Sequence, residues 1–243
     1  MAFQIGSTFL PALGFGEQIG DRSDAIRTLV VPSGWAFSIW GLLFLGSAIF
    51  AVWQAIPALR SNALLDKIAW FAAGATGANG AWATYTQFNN LDIVSAIIIL
   101  FSLGCLLMIL RSLVSWSQPF STGERWIAVL TFSALAAWLT VASTVNISAT
   151  LAYYGVAASG QYPLLAAIII LVAGVIGAAA VLRSRGNPWF ALVIGWAMLA
   201  IYFKGGQEHS GIALAAAISG VLPLVAALIG LRNPANRRHW LGV

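Results

Sequence analysis

Charge is what this sequence has least of. Only 8% of its 243 residues are Asp, Glu, Lys or Arg, and 60% are hydrophobic. Soluble domains carry roughly 25% charged residues, so a water-soluble globular fold is excluded. The seven acidic residues, Glu17, Asp21, Asp24, Asp66, Asp92, Glu124 and Glu208, lie in the first 30 residues or near the ends of hydrophobic runs. No carboxylate stands in the middle of a run, where an ion- or proton-driven transporter keeps one. Paired carboxylates for acid–base chemistry are missing as well. The single cysteine, Cys105, excludes an intrachain disulfide and a thiolate metal cluster. Only two histidines are present, His209 and His239. The topology derived below puts them at opposite faces, which leaves no Ser-His-Asp set. The chain is therefore not expected to be an enzyme or to hold a metal.

Hydrophobic runs fill the space that charge leaves. A hydrocarbon layer of ~30 Å needs about 20 apolar residues in a helix, and backbone polar groups in lipid must pair within the segment. Runs of that length recur at 35–56, 67–88, 92–114, 125–149, 162–182, 187–204 and 209–231. The expected fold is all-α: a polytopic membrane bundle of about seven transmembrane helices. Short connections join them. Asn187 is expected to cap the sixth helix with Pro188 at its first position, and Pro223 to kink the seventh.

The twelve Lys and Arg residues divide unevenly between the two sets of helix ends. Arg60, Lys67, Arg111, Arg125, Arg183, Arg185, Arg232, Arg237 and Arg238 share one side, against Arg22, Arg27 and Lys204 on the other. Lys/Arg bias sets orientation, so the N-terminus is expected outside and the C-terminus in the cytoplasm. The net charge of +5 is thus topological, with anionic lipid as a secondary partner, and nucleic acid is excluded. Residues 1–31 lack the basic start of a signal peptide and are broken by Pro11, Gly14, Gly16 and Gly20. They read as an ordered or interfacial arm on the outer side.

Three segments place Trp and Asn where lipid gives them little reason to be: Pro32 to Trp40, Asn79 to Trp82 and Trp138 to Asn146. Asn79, Trp82 and Thr86 follow i, i+3, i+7 and share a helix face, and Trp138, Ala142 and Asn146 do so at i, i+4, i+8. The topology brings both faces, with Trp35 and Trp40, to the outer half of the bundle. Indole walls with carboxamides at the rim suit a flat, mostly apolar ligand with a few polar edges. Interhelical packing and Asn–helix hydrogen bonds account for the same residue types. Trp53, Trp70, Trp116, Trp126, Trp189 and Trp240 fall near the cytoplasmic boundary and read as an anchoring belt.

In order and context the three segments resemble the tryptophan-rich sensory protein family, TspO and the mitochondrial translocator protein. The carrying residues are Pro32, Trp35, Phe37 and Trp40; then Asn79 and Trp82; then Trp138, Ala142 and Asn146. The likeness covers about residues 32–155, as family helices two to five, with a longer bacterial branch as the nearest pattern. It implies a TspO-like core at 32–157, followed at 158–243 by three extra helices and a basic cytoplasmic tail. It also implies ligand-binding roles for Trp35, Phe37, Trp40, Asn79, Trp82, Trp138, Ala142 and Asn146. The doubled proline of the family is replaced here by Pro32-Ser33, so the fold transfers further than ligand identity.

The function implied by the resemblance is binding of a tetrapyrrole such as a porphyrin, or of a sterol-like molecule, by a sensor, regulator or carrier. Porphyrin breakdown is the one enzymatic activity it admits. A second expectation is an accessory subunit of a larger membrane complex that carries pigments. A chlorophyll-type pigment would take an axial group from His209, Glu208, Gln54, Gln87 or Asn146. No cofactor is obligatory; a porphyrin, a chlorophyll-type pigment or a lipid is the expected bound molecule. A homodimer or larger membrane complex is the expected assembly. The expected location is a bacterial inner or photosynthetic membrane.

Overall fold

A computed structural model describes residues 1–19, 21, 28–156 and 162–243. Expectations that rest on Gly20, Arg22, Asp24, Arg27 and Gly160 lie outside the described residues. The arm holds α1 (Ala2–Gly6) and two 3-10 turns, Ser7–Phe9 and Pro11–Leu13. A third 3-10 stretch, Gly34–Ser38, leads into α2 (Ile39–Gln54). There follow α3 (Ala63–Phe88), α4 (Ile93–Val114) and α5 (Leu130–Tyr153), the last entered through a π-helical turn at Glu124–Val129. The chain ends with α6 (Pro163–Arg183), α7 (Pro188–Tyr202), the short α8 (Gly205–Glu208), α9 (Ser210–Leu231) and α10 (Pro234–Leu241).

The protein is an all-α, multi-pass integral membrane bundle. Among the described residues, six segments are long and apolar enough to cross a membrane: Gly34–Gln54, Ile93–Val114, Glu124–Tyr153, Pro163–Arg183, Pro188–Glu208 and Ser210–Leu231. The seventh expected span, α3, has 26 residues, about 39 Å at 1.5 Å per residue. Its length suffices, but Asp66, Lys67, Asn79 and Gln87 make it less apolar than the rest. The reason is its place in the bundle. Thr76, Asn79, Thr86 and Gln87 are buried within the protein, where polarity serves a purpose it could not serve against lipid.

Helix starts are written in the sequence. Asn62, Asp92, Asn187 and Asn233 each accept backbone N–H groups of the first turn that follows. Pro188 and Pro234 occupy the first helical position, where no N–H is needed. Pro223 lies inside α9, which runs through it unbroken.

Helix α5 is the axis of the molecule, buried from Thr131 through Leu139 without a break. It packs on α4 and α7; α4 packs on α3, α3 on the arm, and α7 and α6 both pack on α9. Helix α2 leans on α5 through Phe50 and Phe132, whose rings meet edge-on at 4.8 Å. Small polar residues stitch the helices together. Ser102 Oγ donates to Ala75 O across α4 and α3, and Ser219 Oγ donates to Ile170 O across α9 and α6. Asn187 caps α7 with its oxygen, while its Nδ2 donates to Ser133 Oγ of α5 at 2.8 Å. That carboxamide is fully buried and bonded at both ends.

For clarity, the arm end is the end holding α1 and the tail end the one holding α10. At the tail end the expected tryptophan belt is only partly right. Trp70 and Trp126 are exposed and fit it, but Trp240 is fully buried. Helix α10 folds back under the bundle and sends the Trp240 indole N–H to Ser184 O at 3.0 Å. Trp240 is therefore an internal bolt rather than a headgroup anchor.

The turn between α6 and α7 touches α9 backbone to backbone. A Cβ on Gly230 would lie 2.5 Å from Gly186 Cα. Gly230→Ala should cost about 1–3 kcal/mol, the range for forced overpacking, and lower the thermal unfolding temperature in detergent. Gly211→Ala, with open space around the added atom, should leave unfolding unchanged.

Candidate functional site

The three tryptophan segments meet at the arm end, but they do not contribute equally. In α3 and α5 the helical spacing works as expected, and Asn79, Trp82, Trp138 and Asn146 are all buried. Trp138 of α5 is the hub: the rings of Phe37 and Trp40 stand edge-on to it at 6.1 and 6.0 Å. Trp40 also stacks on Phe44 at 5.1 Å. Trp35 goes elsewhere. It precedes α2 in a 3-10 stretch, where residues advance by a third of a turn and not by the smaller α-helical step. Its ring, 43% exposed, packs edge-on against Trp196 of α7 at 4.8 Å. Trp196 in turn donates its indole N–H to Ala36 O.

Two cavities open where these residues converge. An inner slot of about 40 Å³ is lined by Trp138, Ala142 and Asn146 of α5 together with Pro32, Leu91 and Val145. Val141 lines it too, with Phe37, Trp40, Trp82 and Ile19, and those last four also line a neighbouring chamber of about 440 Å³. The chamber adds Asn79, Gln87, Gly41 and Phe44, and its far wall is the arm: Thr8, Pro11, Ala12 and Gln18. Ligand pockets run to roughly 300–1,000 Å³, so the chamber takes a small molecule, whereas the slot admits a water or one small substituent.

The polar atoms around the slot are unevenly satisfied. The indole N–H groups of Trp82 and Trp138 are buried and make no hydrogen bond among the described residues. Asn146 is held by one end of its carboxamide, 3.1 Å from Ser95 Oγ, and its other end has no partner among the described residues. Leaving such groups unpaired costs about 1–3 kcal/mol each. Among the described residues, the walls carry no charged side chain.

Asp92 holds this end together. Its Oδ1 caps α4 by accepting from Val94 and Ser95 N–H, and its Oδ2 accepts from Tyr85 O–H of α3 at 2.7 Å. Its carbonyl accepts from Thr150 Oγ1 of α5 and from Ser95 Oγ, the hydroxyl beside Asn146. Three helices are thereby fixed around the carboxamide that enters the slot. In the sequence Asp92 stands out only as an acidic residue near the end of a hydrophobic run.

A family model described as TSPO-like protein matches residues 2–229. The chain belongs to the TSPO-like protein family. The match takes in the arm and most of the C-terminal helices, well beyond the 32–155 stretch on which the sequence resemblance rests. No curated protein and no solved structure matches the chain.

In this TSPO-like protein the structure thus brings seven of the eight expected residues to the cavities: Phe37, Trp40, Asn79, Trp82, Trp138, Ala142 and Asn146. Trp35 is left outside. Of the axial candidates, Gln87 and Asn146 reach a cavity; Gln87 Nε2 is already committed to Ser7 O, and Asn146 is tied to Ser95. Sequence reasoning missed the arm residues, because turns carry no hydrophobic period to place them. Removing the Asp92 carboxylate tests the knot: Asp92→Ala should cost about 1–2 kcal/mol as a lost N-cap, read by thermal unfolding, and Asp92→Asn less than half of that.

Proposed function

We propose that this membrane protein binds a flat, largely apolar small molecule in the chamber between the arm, α2 and α3, acting as a sensor, regulator or carrier. The observation that carries this reading is the pair of buried indole N–H groups, Trp82 and Trp138, left without acceptors among the described residues inside an aromatic cavity. A ligand whose leading edge bears a hydrogen-bond acceptor would satisfy them. The ring system would lie in the larger chamber against Trp40, Phe37 and Trp82, since a slot of about 40 Å³ is too small for it. Tetrapyrroles and sterol-like molecules both fit the description, and the resemblance of the tryptophan segments favours them. The described wall residues are uncharged, which favours keeping any carboxylates of a porphyrin at the chamber mouth. The basic tail end supports a bacterial inner or photosynthetic membrane location, with the arm outside and α10 in the cytoplasm.

One observation favours the subunit reading. An apolar groove of about 630 Å³ runs between α7 and α9, lined by Leu192, Trp196, Leu199 and Tyr202 against Ala216 and Gly220. Helices of a partner or pigments of a complex would find room there. Isolation in mild detergent separates the two: stoichiometric protein partners support the subunit reading, and a partner-free monomer or homodimer opposes it.

Porphyrin titration followed by indole quenching tests the ligand proposal. Trp40→Ala and Trp82→Ala should each weaken binding by about tenfold, the loss of one stacking ring. Trp35→Ala should change nothing. Unaltered affinity in both chamber variants would sink the proposal.

A further inference from the structure

A second cavity adjoins the slot. It measures about 60 Å³ and is walled by Thr140 and Thr144 of α5, Ala173 and Ile176 of α6, Met198 of α7 and Val30. Two further residues, Val141 and Val145, line both this cavity and the slot.

Helical geometry accounts for the shared wall. At about 100° per residue, Trp138, Ala142 and Asn146 occupy one side of α5, and Thr140 and Thr144 the opposite side. Val141 and Val145 stand between, so a ridge of two valines separates the two spaces. The chain leading into α2 straddles them likewise, with Val30 in the second cavity and Pro32 in the slot. That segment is pinned: Ser33 N–H and Oγ–H both donate to Ala200 O of α7, at 3.1 and 2.9 Å. The valine ridge is the part of the partition made of side chains alone.

The cavity exists because α6 is drawn onto α9 rather than onto α5. A Cβ on Gly174 would lie 2.4 Å from Ser219 Cβ, and Ser219 Oγ donates to Ile170 O. The gap left beside α5 is apolar. Its two hydroxyls are spent on their own helix, Thr140 Oγ1 on Ala136 O and Thr144 Oγ1 on Thr140 O. Protein interiors hold few voids larger than a water, and a void without polar partners stays dry and takes apolar guests. Slot and cavity therefore differ in chemistry. The slot offers the indole N–H groups of Trp82 and Trp138 and the Nδ2 of Asn146, whereas the described walls of the cavity offer hydrocarbon.

We propose that the second cavity is a subsite for a short apolar arm of the ligand, with Val141 and Val145 setting which arm lengths are accepted. The subsite rests on the binding of a ligand in the chamber. It narrows the ligand class to a flat ring in the chamber, a hydrogen-bond acceptor in the slot and, beyond the acceptor, an alkyl or alkenyl arm of a few carbons that passes the ridge. An arm ending in a charge is rejected, since burial there would leave it unpaired.

The test uses the full chain in nanodiscs and the phenyl ketones from acetophenone to hexanophenone, which keep ring and carbonyl while the arm lengthens. Binding is read as saturable indole quenching against free aqueous ketone. In the wild type, affinity should rise about fourfold with each methylene added beyond propiophenone, as each one leaves water. Ala173→Leu fills the subsite from α6 and should flatten the series, so that hexanophenone binds no tighter than propiophenone. Val141→Ala lowers the ridge and should raise the affinity for hexanophenone over that for acetophenone by about a further fourfold, the room of one methylene. Val172→Leu, exposed on the same helix as Ala173, should keep the wild-type series. A series that rises equally in the wild type and Ala173→Leu, with the arms in lipid or at the chamber mouth, would overturn the subsite, and so would a flat wild-type series. Should Ala173→Leu fail to fold, an unchanged ratio in Val141→Ala overturns it instead. Porphyrin binding beside a flat ketone series leaves the chamber standing and removes only the subsite; no binding of porphyrin or of any ketone removes both.

Discussion

Polar groups inside a bilayer must find partners within the protein, because lipid offers none, and this bundle is organised by how it meets that demand. Its helices are joined by hydroxyls and carboxamides that reach across to a neighbour: Ser102 to Ala75, Ser219 to Ile170, Asn187 to Ser133. Each bond is worth little alone, about 0.6 kcal/mol on average. Their value lies in position, since each one fixes the depth and rotation of two helices at once. Other buried groups, those of Gln4, Ser143 and Trp189 among them, lack partners among the described residues, and three of the unsatisfied ones converge. Trp82, Trp138 and one end of Asn146 gather at one cavity, at the arm end of the same helix α5 that anchors the rest.

The contrast between two buried asparagines makes the point. Asn187 caps a helix with its oxygen and donates its amide to Ser133, so the carboxamide is consumed by the fold. Asn146 is gripped at one end by Ser95, which Asp92 holds in place, and offers the other end to a cavity. Both are conventional interhelical contacts by residue type. Only the second retains a free valence, and it retains it beside two indoles in the same condition.

Much of this was legible in the sequence wherever the backbone is a regular α-helix. Spacings of three, four, seven and eight residues decide which side chains share a face, and so Trp82 with Asn79, and Trp138 with Ala142 and Asn146, were found without coordinates. The overall membrane fold was legible for a similar reason: apolar run length maps directly onto helix length. Legibility ended where regular geometry ended. Trp35 sits in 3-10 backbone and turns away to Trp196. The arm forms one wall of the chamber through turns that have no periodic signature. Trp240 looked like a boundary anchor because nothing local to it shows that α10 folds back and buries it. In α3 the rule worked in reverse, since the polar residues that lower its apolarity are the ones that make it an inner helix.

The two ends of the molecule apply one physical rule with opposite charge character. At the arm end, uncharged donors sit in an apolar chamber, an arrangement that stabilises a neutral acceptor and penalises a full charge, because none of the described wall residues is a cation that could offset its desolvation. At the tail end, burial first and then the charges of Arg185 and Arg125 keep the His239 imidazole uncharged. Helix α5 runs between them, starting beside Arg125 and ending beside Asn146. It is also the most enclosed helix, so a displacement at either end must be taken up by packing along its length rather than by lipid.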